Sequence, residues 1–144
     1  MSKKKIYIYC ILVSVLVFCN YLLAYIMVSE ISILGLAMFL YIIPFSFLAL
    51  VNLFGRGAEK NIRKICLFAT VNTVGYAVFA FLFERKDNYE EIINGYTKGI
   101  GEMQVTVTMN LLTMGQLIML FFTSFAIQYV FRMIHIKIQG GIRK

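Results

Sequence analysis

Three thiols, Cys10, Cys19 and Cys66, and one imidazole, His135, are the side chains of this 144-residue chain best suited to redox or metal chemistry. Their spacing argues against both. No pair forms C-x-x-C, so a thiol–disulfide exchange centre lacks its parts. All three cysteines sit in apolar stretches, where a free thiol behaves as a small hydrophobe. A zinc site needs several converging nitrogen and sulfur ligands, and His135 stands alone. A lone histidine can titrate near neutrality, but at the edge of an apolar block it reads as an interfacial residue. Gly55-x-Gly57 is too short for a phosphate loop, and no nucleophile elbow occurs. The carboxylates of "ERKDNYEEIINGYTKGIGEMQ" read as a solvated acidic face rather than a divalent-cation site. The expectation is a protein that is not an enzyme, with no cofactor and no metal.

Neutral polar residues inside apolar blocks are the next candidates. Thr106, Asn110, Thr113, Ser124 and Gln128 fall on one face at 100° per residue, with Gln116 on its edge. Cys66, Ala69, Thr70, Thr73, Ala77 and Ala80 make a small-residue stripe, of the small-xxx-small kind that lets helices approach closely. Tyr7, Cys10, Ser14, Tyr21 and Tyr25 share a face, with Asn20 to the side. Interhelical hydrogen bonds in membranes average ~0.6 kcal/mol, so the preferred reading of these stripes is packing. The alternative is a polar path along the Thr106–Gln128 face. Pro44 lies inside an apolar block, where it should kink a helix and free a backbone carbonyl near Leu40.

The elements that must position these residues are four apolar blocks, at about 6–28, 31–54, 65–83 and 105–131. Hydrophobic residues make up 60 % of the chain and charged residues 15 %, against ~45–50 % and about 25 % in soluble domains. Each block approaches or exceeds the ~20 residues that cross a ~30 Å hydrocarbon core as helix, and none contains Asp, Glu, Lys or Arg. The first two blocks are parted only by Ser29-Glu30-Ile31-Ser32, so they read as an antiparallel hairpin. The first block is read as a span rather than a cleaved signal, because its apolar run is too long and no small-x-small site follows. The fold class expected is an all-α integral membrane protein, residues 1–144 forming a single transmembrane domain, a four-helix bundle.

The net charge of +7 would ordinarily suggest nucleic acid, but the charges sit at block edges and no nucleic-acid partner is expected. Eleven of the 14 Lys and Arg fall on one side of the alternating blocks. They are Lys3, Lys4 and Lys5, the basic loop Arg56, Lys60, Arg63 and Lys64, and Arg132, Lys137, Arg143 and Lys144. Cytoplasmic loops carry such an excess, so both termini and the basic loop are assigned to the cytoplasm and the protein to the cytoplasmic membrane. The acids concentrate on the other side, with Asp87, Glu90 and Glu91 in the loop between helices 3 and 4. There Asp87-x-x-Glu90 has capping-box spacing, and Tyr89, Ile92, Ile93 and Tyr96 recur at i, i+3, i+4, i+7. A short amphipathic helix is predicted, ended near Asn94-Gly95, with those four residues as the partner-binding face. The tail from Ile134 to Ile138 reads as an extension of helix 4, with a short strand as the alternative.

The function expected is therefore non-catalytic. A small multi-pass protein of a bacterial membrane would act as an accessory, regulatory or immunity factor, binding another membrane protein or a peptide. Its partners are the lipid bilayer and that protein or peptide, with a homo-oligomer as a further option. The alternative is an oligomeric pore or small-solute transporter lined by the helix 4 polar face.

Overall fold

A computed structural model describes residues 3–54, 62–97 and 110–141, and among these every regular element is helical. Helix α1 spans Lys3–Met27. Helix α2, Ile33–Ala37, passes without a break into a π-helical turn, Met38–Ile42, and then into α3, Ile43–Phe54. Helix α4 spans Ile62–Glu84, the short α5 Tyr89–Thr97, and α6 Met114–Gly141. Four stretches are long and apolar enough to cross a membrane: Ile8–Met27, Ile33–Asn52, Ile62–Glu84 and Met114–Ile138. At 1.5 Å per residue each covers about 30 Å or more. This is the build of a multi-pass membrane protein.

Local chemistry accounts for the boundaries. After α1 the backbone turns on Met27, whose carbonyl accepts from Glu30 N (2.9 Å) and Ile31 N (3.1 Å). Ser32 then caps α2, its hydroxyl accepting from Gly35 N at 3.2 Å, which satisfies one of the donors a helix start leaves open. The Ser29–Ser32 tetrad is thus the hairpin turn its polarity suggested. Helix α6 begins at Met114, not at 105 as the apolar run implied. Thr113 is its cap, accepting Leu117 N on its carbonyl (3.1 Å) and Gln116 N on its hydroxyl (3.3 Å). At the other end α6 runs on past residue 131, and Ile134–Ile138 is helical rather than a strand. Alternating isoleucines are compatible with either geometry, and continuation of the ladder prevails.

The principal contacts run α1 to α4, α4 to α6, and α6 to α3. The ring closes where the π turn meets α1. Helix α4 is the central member. Its buried residues, Ile65, Phe68, Ala69, Asn72, Gly75, Tyr76, Phe79, Ala80 and Phe83, follow a helical i, i+3, i+4 rhythm. The molecule is inverted relative to a water-soluble bundle. Buried positions include Asn52, Asn72, Ser124 and Gln128, while Ile8, Leu34, Met119 and Phe122 are each more than half exposed. Such an apolar exterior suits hydrocarbon as solvent.

The close approach between α1 and α4 lies at Gly75, not on the Ala69-x₃-Thr73-x₃-Ala77 stripe. Ala69 and Ala80 are buried, but Cys66 and Thr70 are exposed. The Thr70 and Thr73 hydroxyls donate back to Cys66 O and Ala69 O, each at 2.9 Å. A Cβ at Gly75 would fall 2.6 Å from Cδ2 and 2.9 Å from Cε2 of Tyr21. The Tyr21 ring therefore lies directly on the α4 backbone. Gly75→Ala should lower stability by about 1–3 kcal/mol, the usual cost of overpacking. Gly115→Ala, with nothing within 4 Å of the added carbon, should be neutral or stabilising by up to ~1 kcal/mol. Unfolding in detergent micelles measures both, and equal effects would refute the assigned approach.

Candidate functional site

Two regions concentrate polar groups: the interior of the bundle and the end that carries α5. The interior begins with Pro44, which is fully buried. Its ring nitrogen has no hydrogen, so neither the i−4 carbonyl of Leu40 nor the i−5 carbonyl of Phe39 can be served by residue 44. The π turn fits this place. Ile43 N reaches back five residues to Met38 O, and single π turns commonly absorb such breaks. Two consecutive side chains of α1 supply donors. Asn20 Nδ2 donates to Phe39 O at 2.7 Å, and the Tyr21 hydroxyl donates to Leu40 O at 3.3 Å. The freed carbonyl near Leu40 anticipated from Pro44 is therefore present and is met from the neighbouring helix.

The Tyr21 hydroxyl also lies 2.9 Å from Asn72 Oδ1. It has one hydrogen and faces two acceptors. Asn72 is completely buried, and its Nδ2 has no partner among the described residues. An amide turned so that Nδ2 donates to the tyrosine oxygen gives both groups a partner at once, since Tyr21 then donates to Leu40 O. Beside this chain the Tyr41 and Tyr76 hydroxyls lie 3.3 Å apart and share one hydrogen bond. Their rings stand 5.9 Å apart, and Tyr76 meets Tyr21 edge-on at 6.5 Å.

A second interior cluster ties α3 to α6. Asn52 Nδ2 donates to Leu48 O (2.8 Å) and to Gln128 Oε1 (3.1 Å), and Gln128 Nε2 donates to Ser124 Oγ (3.2 Å). Gln128 is completely buried, and Ser124 is 1 % exposed. The face proposed to line a polar path does not continue beyond this pair. Thr106 lies outside the described residues. Asn110 is exposed and precedes α6, and Thr113 is the exposed cap. Gln116, with its amide oriented to satisfy both neighbours, donates to Asn110 O and Leu111 O at 2.9 Å each. Only Ser124 and Gln128 point into the bundle, because a continuous 100° projection requires helix where the chain instead turns.

At the other region, α5 packs on the end of the bundle. Ile92 is buried in the core cluster, and Tyr89, Ile93 and Tyr96 pack against it. Tyr89 meets Phe83 edge-on at 5.1 Å, and the Tyr96 hydroxyl donates to Val28 O at 2.6 Å. Desolvation pushes the Tyr96 phenol above its usual range, so it remains a donor. Tyr89 is raised by desolvation and by the nearby Glu84 charge. The face expected to receive a partner is thus turned onto the protein's own core. Burial of that face also outweighs Asn94-Gly95 as a stop signal, and α5 continues to Thr97. Its first residue is Tyr89, and the Asn88 carbonyl accepts Ile92 N at 3.1 Å, one position later than the Asp87 box implied.

What remains open on α5 is acidic. Asp87, Glu90, Glu91 and Asn94 are exposed and line one cleft with Asn88 and Gly95. A second groove, ≈ 480 Å³, runs between α5 and the first hairpin turn and includes Glu30, Glu91 and Tyr96. Of the basic loop, Arg63 and Lys64 open α4, with Arg63 exposed. Arg56 and Lys60 lie outside the described residues. Neither the family models, the curated proteins nor the solved structures compared with this chain give a match.

The helix 4 face was read from spacing, whereas Asn52, Asn72 and the Asn20/Tyr21 pairing were not. Their signal was rarity, because each of the first three apolar blocks contains a single amide, Asn20, Asn52 and Asn72. The Asn52–Gln128 geometry makes the two truncations unequal. Asn52→Leu strands Gln128 Oε1 in the interior and should cost about 1–3 kcal/mol. Gln128→Leu leaves Asn52 on Leu48 O and should cost nearer the ~0.6 kcal/mol of an average interhelical bond. Reversible unfolding in mixed micelles would show the order, and a reversed order would refute the assignment.

Proposed function

We propose that this chain is a non-catalytic accessory, regulatory or immunity factor of a bacterial cytoplasmic membrane, working by binding another membrane protein or a peptide. Both termini and the 55–61 loop are placed in the cytoplasm, because eleven of 14 Lys and Arg lie on that side and cytoplasmic segments carry the basic excess. The bacterial assignment rests on compactness and on Ile-, Lys-, Tyr- and Phe-rich usage. In this orientation α5 and the Ser29–Ser32 turn face outward. Arg85 and Lys86 sit at the outer boundary, over the rings of Phe81 (4.1 Å) and Tyr25 (5.2 Å). Such cation–aromatic pairs suit an interfacial position.

The observation that carries the reading is the division of α5 into two faces. The Tyr/Ile face is fixed to the bundle, and the carboxylates of Asp87, Glu90 and Glu91 are held outward beside a groove that also contains Glu30. A rigidly mounted acidic surface suits a partner carrying Lys or Arg, since charge complementarity steers encounter and fixes register. Interfacial helices that merely lie on lipid have Lys/Arg-rich polar faces, unlike this one. The helix 4 polar groups favour packing over transport, because Ser124 and Gln128 are bonded to each other and to α3.

The test is photo-crosslinking from position 94 in intact membranes, with mass spectrometry of the adduct. A reproducible neighbour is expected. Glu90→Lys with Glu91→Lys should cut its yield about tenfold or more, the equivalent of ~1.4 kcal/mol. Asn110→Leu and Gln116→Leu should leave it unchanged. No reproducible adduct would count against recognition at this end. Loss of the protein's biological effect with the last two variants, but not with the charge reversals, would favour the pore or transporter.

A further inference from the structure

The second membrane-crossing stretch is built as two unequal parts. Below the π turn, α3 is tied to α6 through Asn52 and Gln128. Above it, residues 33–42 are sparsely held. Leu34 is 76 % exposed, and Met38 and Ile42 are about half exposed. Only Leu36 and Leu40 are buried in this segment. Its ends are tied by side chains from other helices. At its base Asn20 and Tyr21 hold the two carbonyls that Pro44 cannot serve. At the turn before it, Tyr96 holds Val28 O.

We infer that residues 33–42 form a hinged arm, pivoting at the π turn and Pro44 and latched shut by Asn20 and Tyr21 on α1 and by Tyr96 on α5. A helix ladder interrupted by proline has fewer internal bonds to resist bending, and kinks and π turns are where helices flex. The latch is an exchangeable one. The Tyr21 hydroxyl can give its hydrogen to Leu40 O or to Asn72 Oδ1, so releasing the arm leaves Tyr21 bonded to Asn72 rather than stranded in an apolar interior. Asn20 moves with less compensation and sets the larger part of the resistance. The turn at the arm's outer end, Ser29–Ser32, is one wall of the groove against α5. Arm movement therefore changes the width of that groove. The hinge stands on its own geometry, and only its use as a response to binding rests on the recognition reading.

The experiment measures the hinge without any partner. Spin labels are placed by Leu34→Cys and Met119→Cys, with the three native cysteines replaced by alanine, and the distance distribution is recorded in lipid nanodiscs. A single narrow distribution is expected for the otherwise unaltered chain. Asn20→Leu with Tyr21→Phe should broaden it or add a second distance. In a Pro44→Ala background, where residue 44 regains its N–H, the same pair of changes should leave it narrow. Asn52→Leu, on the far side of the pivot, should not affect it. Should the doubly substituted chain not fold, Tyr21→Phe alone, which keeps the ring on Gly75, is measured in both backgrounds with the same expectation. A distribution unchanged by loss of the latch, or broadened equally with alanine at position 44, overturns the inference. Failure of crosslinking from position 94 would not, so the two readings fall separately.

Discussion

The missing hydrogen on the Pro44 nitrogen governs much of the interior. In water the carbonyls it leaves open would bind solvent. Among apolar side chains they must be met by protein, because an unpaired buried polar group costs several kilocalories per mole in hydrocarbon. The chain meets the need with two adjacent residues. Asn20 and Tyr21 point from α1 to Phe39 O and Leu40 O. Adjacent residues are 100° apart on a helix, so both can reach only if α1 crosses the break closely. Gly75 on α4 then becomes necessary, because the Tyr21 ring occupies the volume a side chain would take. One backbone defect thus sets the register of three helices.

The α5 helix is the counterpart at the bundle's end. Nine residues are too few to hold a helix by themselves in water, and Gly95 weakens the ladder further. Its persistence depends on Ile92, Tyr89 and Tyr96 being covered by the bundle, and on the bond from Tyr96 to Val28 O. That carbonyl belongs to the end of α1, where helices leave acceptors unpaired. Each element supplies what the other lacks. A consequence is that the aromatic face is committed internally, and recognition falls to the carboxylates.

Much of the architecture was legible in the residues. Blocks of uncharged apolar residues define helices in lipid with little ambiguity, and Ser29–Ser32 could only be a turn within a run twice the membrane thickness. The proline's effect on Leu40 followed from covalent structure. Other features were not legible, for physical reasons. The start of α6 is hidden because Val105–Leu112 is as apolar as a helix would be, and a threonine cap outweighs hydropathy locally. The i, i+3, i+4 pattern of α5 showed which face is apolar, but period alone cannot say whether that face meets lipid, a partner or the protein itself. The small-residue stripe of α4 misdirected because threonine hydroxyls satisfy themselves on their own helix. They need no neighbour, whereas Gly75 offers a space that only its neighbour's shape makes visible.

The two amide clusters differ in a way that bears on motion. Asn52, Gln128 and Ser124 form a closed set in which each amide bonds two partners. Breaking it strands a buried oxygen, so α3 and α6 should move as one body. The Asn20–Tyr21–Asn72 set is open, with one hydroxyl hydrogen between two acceptors and an amide nitrogen lacking a partner among the described residues. An open set loses less on rearrangement, since one contact can form as another breaks. Fully satisfied networks rigidify, and incompletely satisfied ones permit alternatives. The distribution of amides therefore separates a fixed half of the bundle from a half that can yield, and the yielding half is the one that borders the acidic groove.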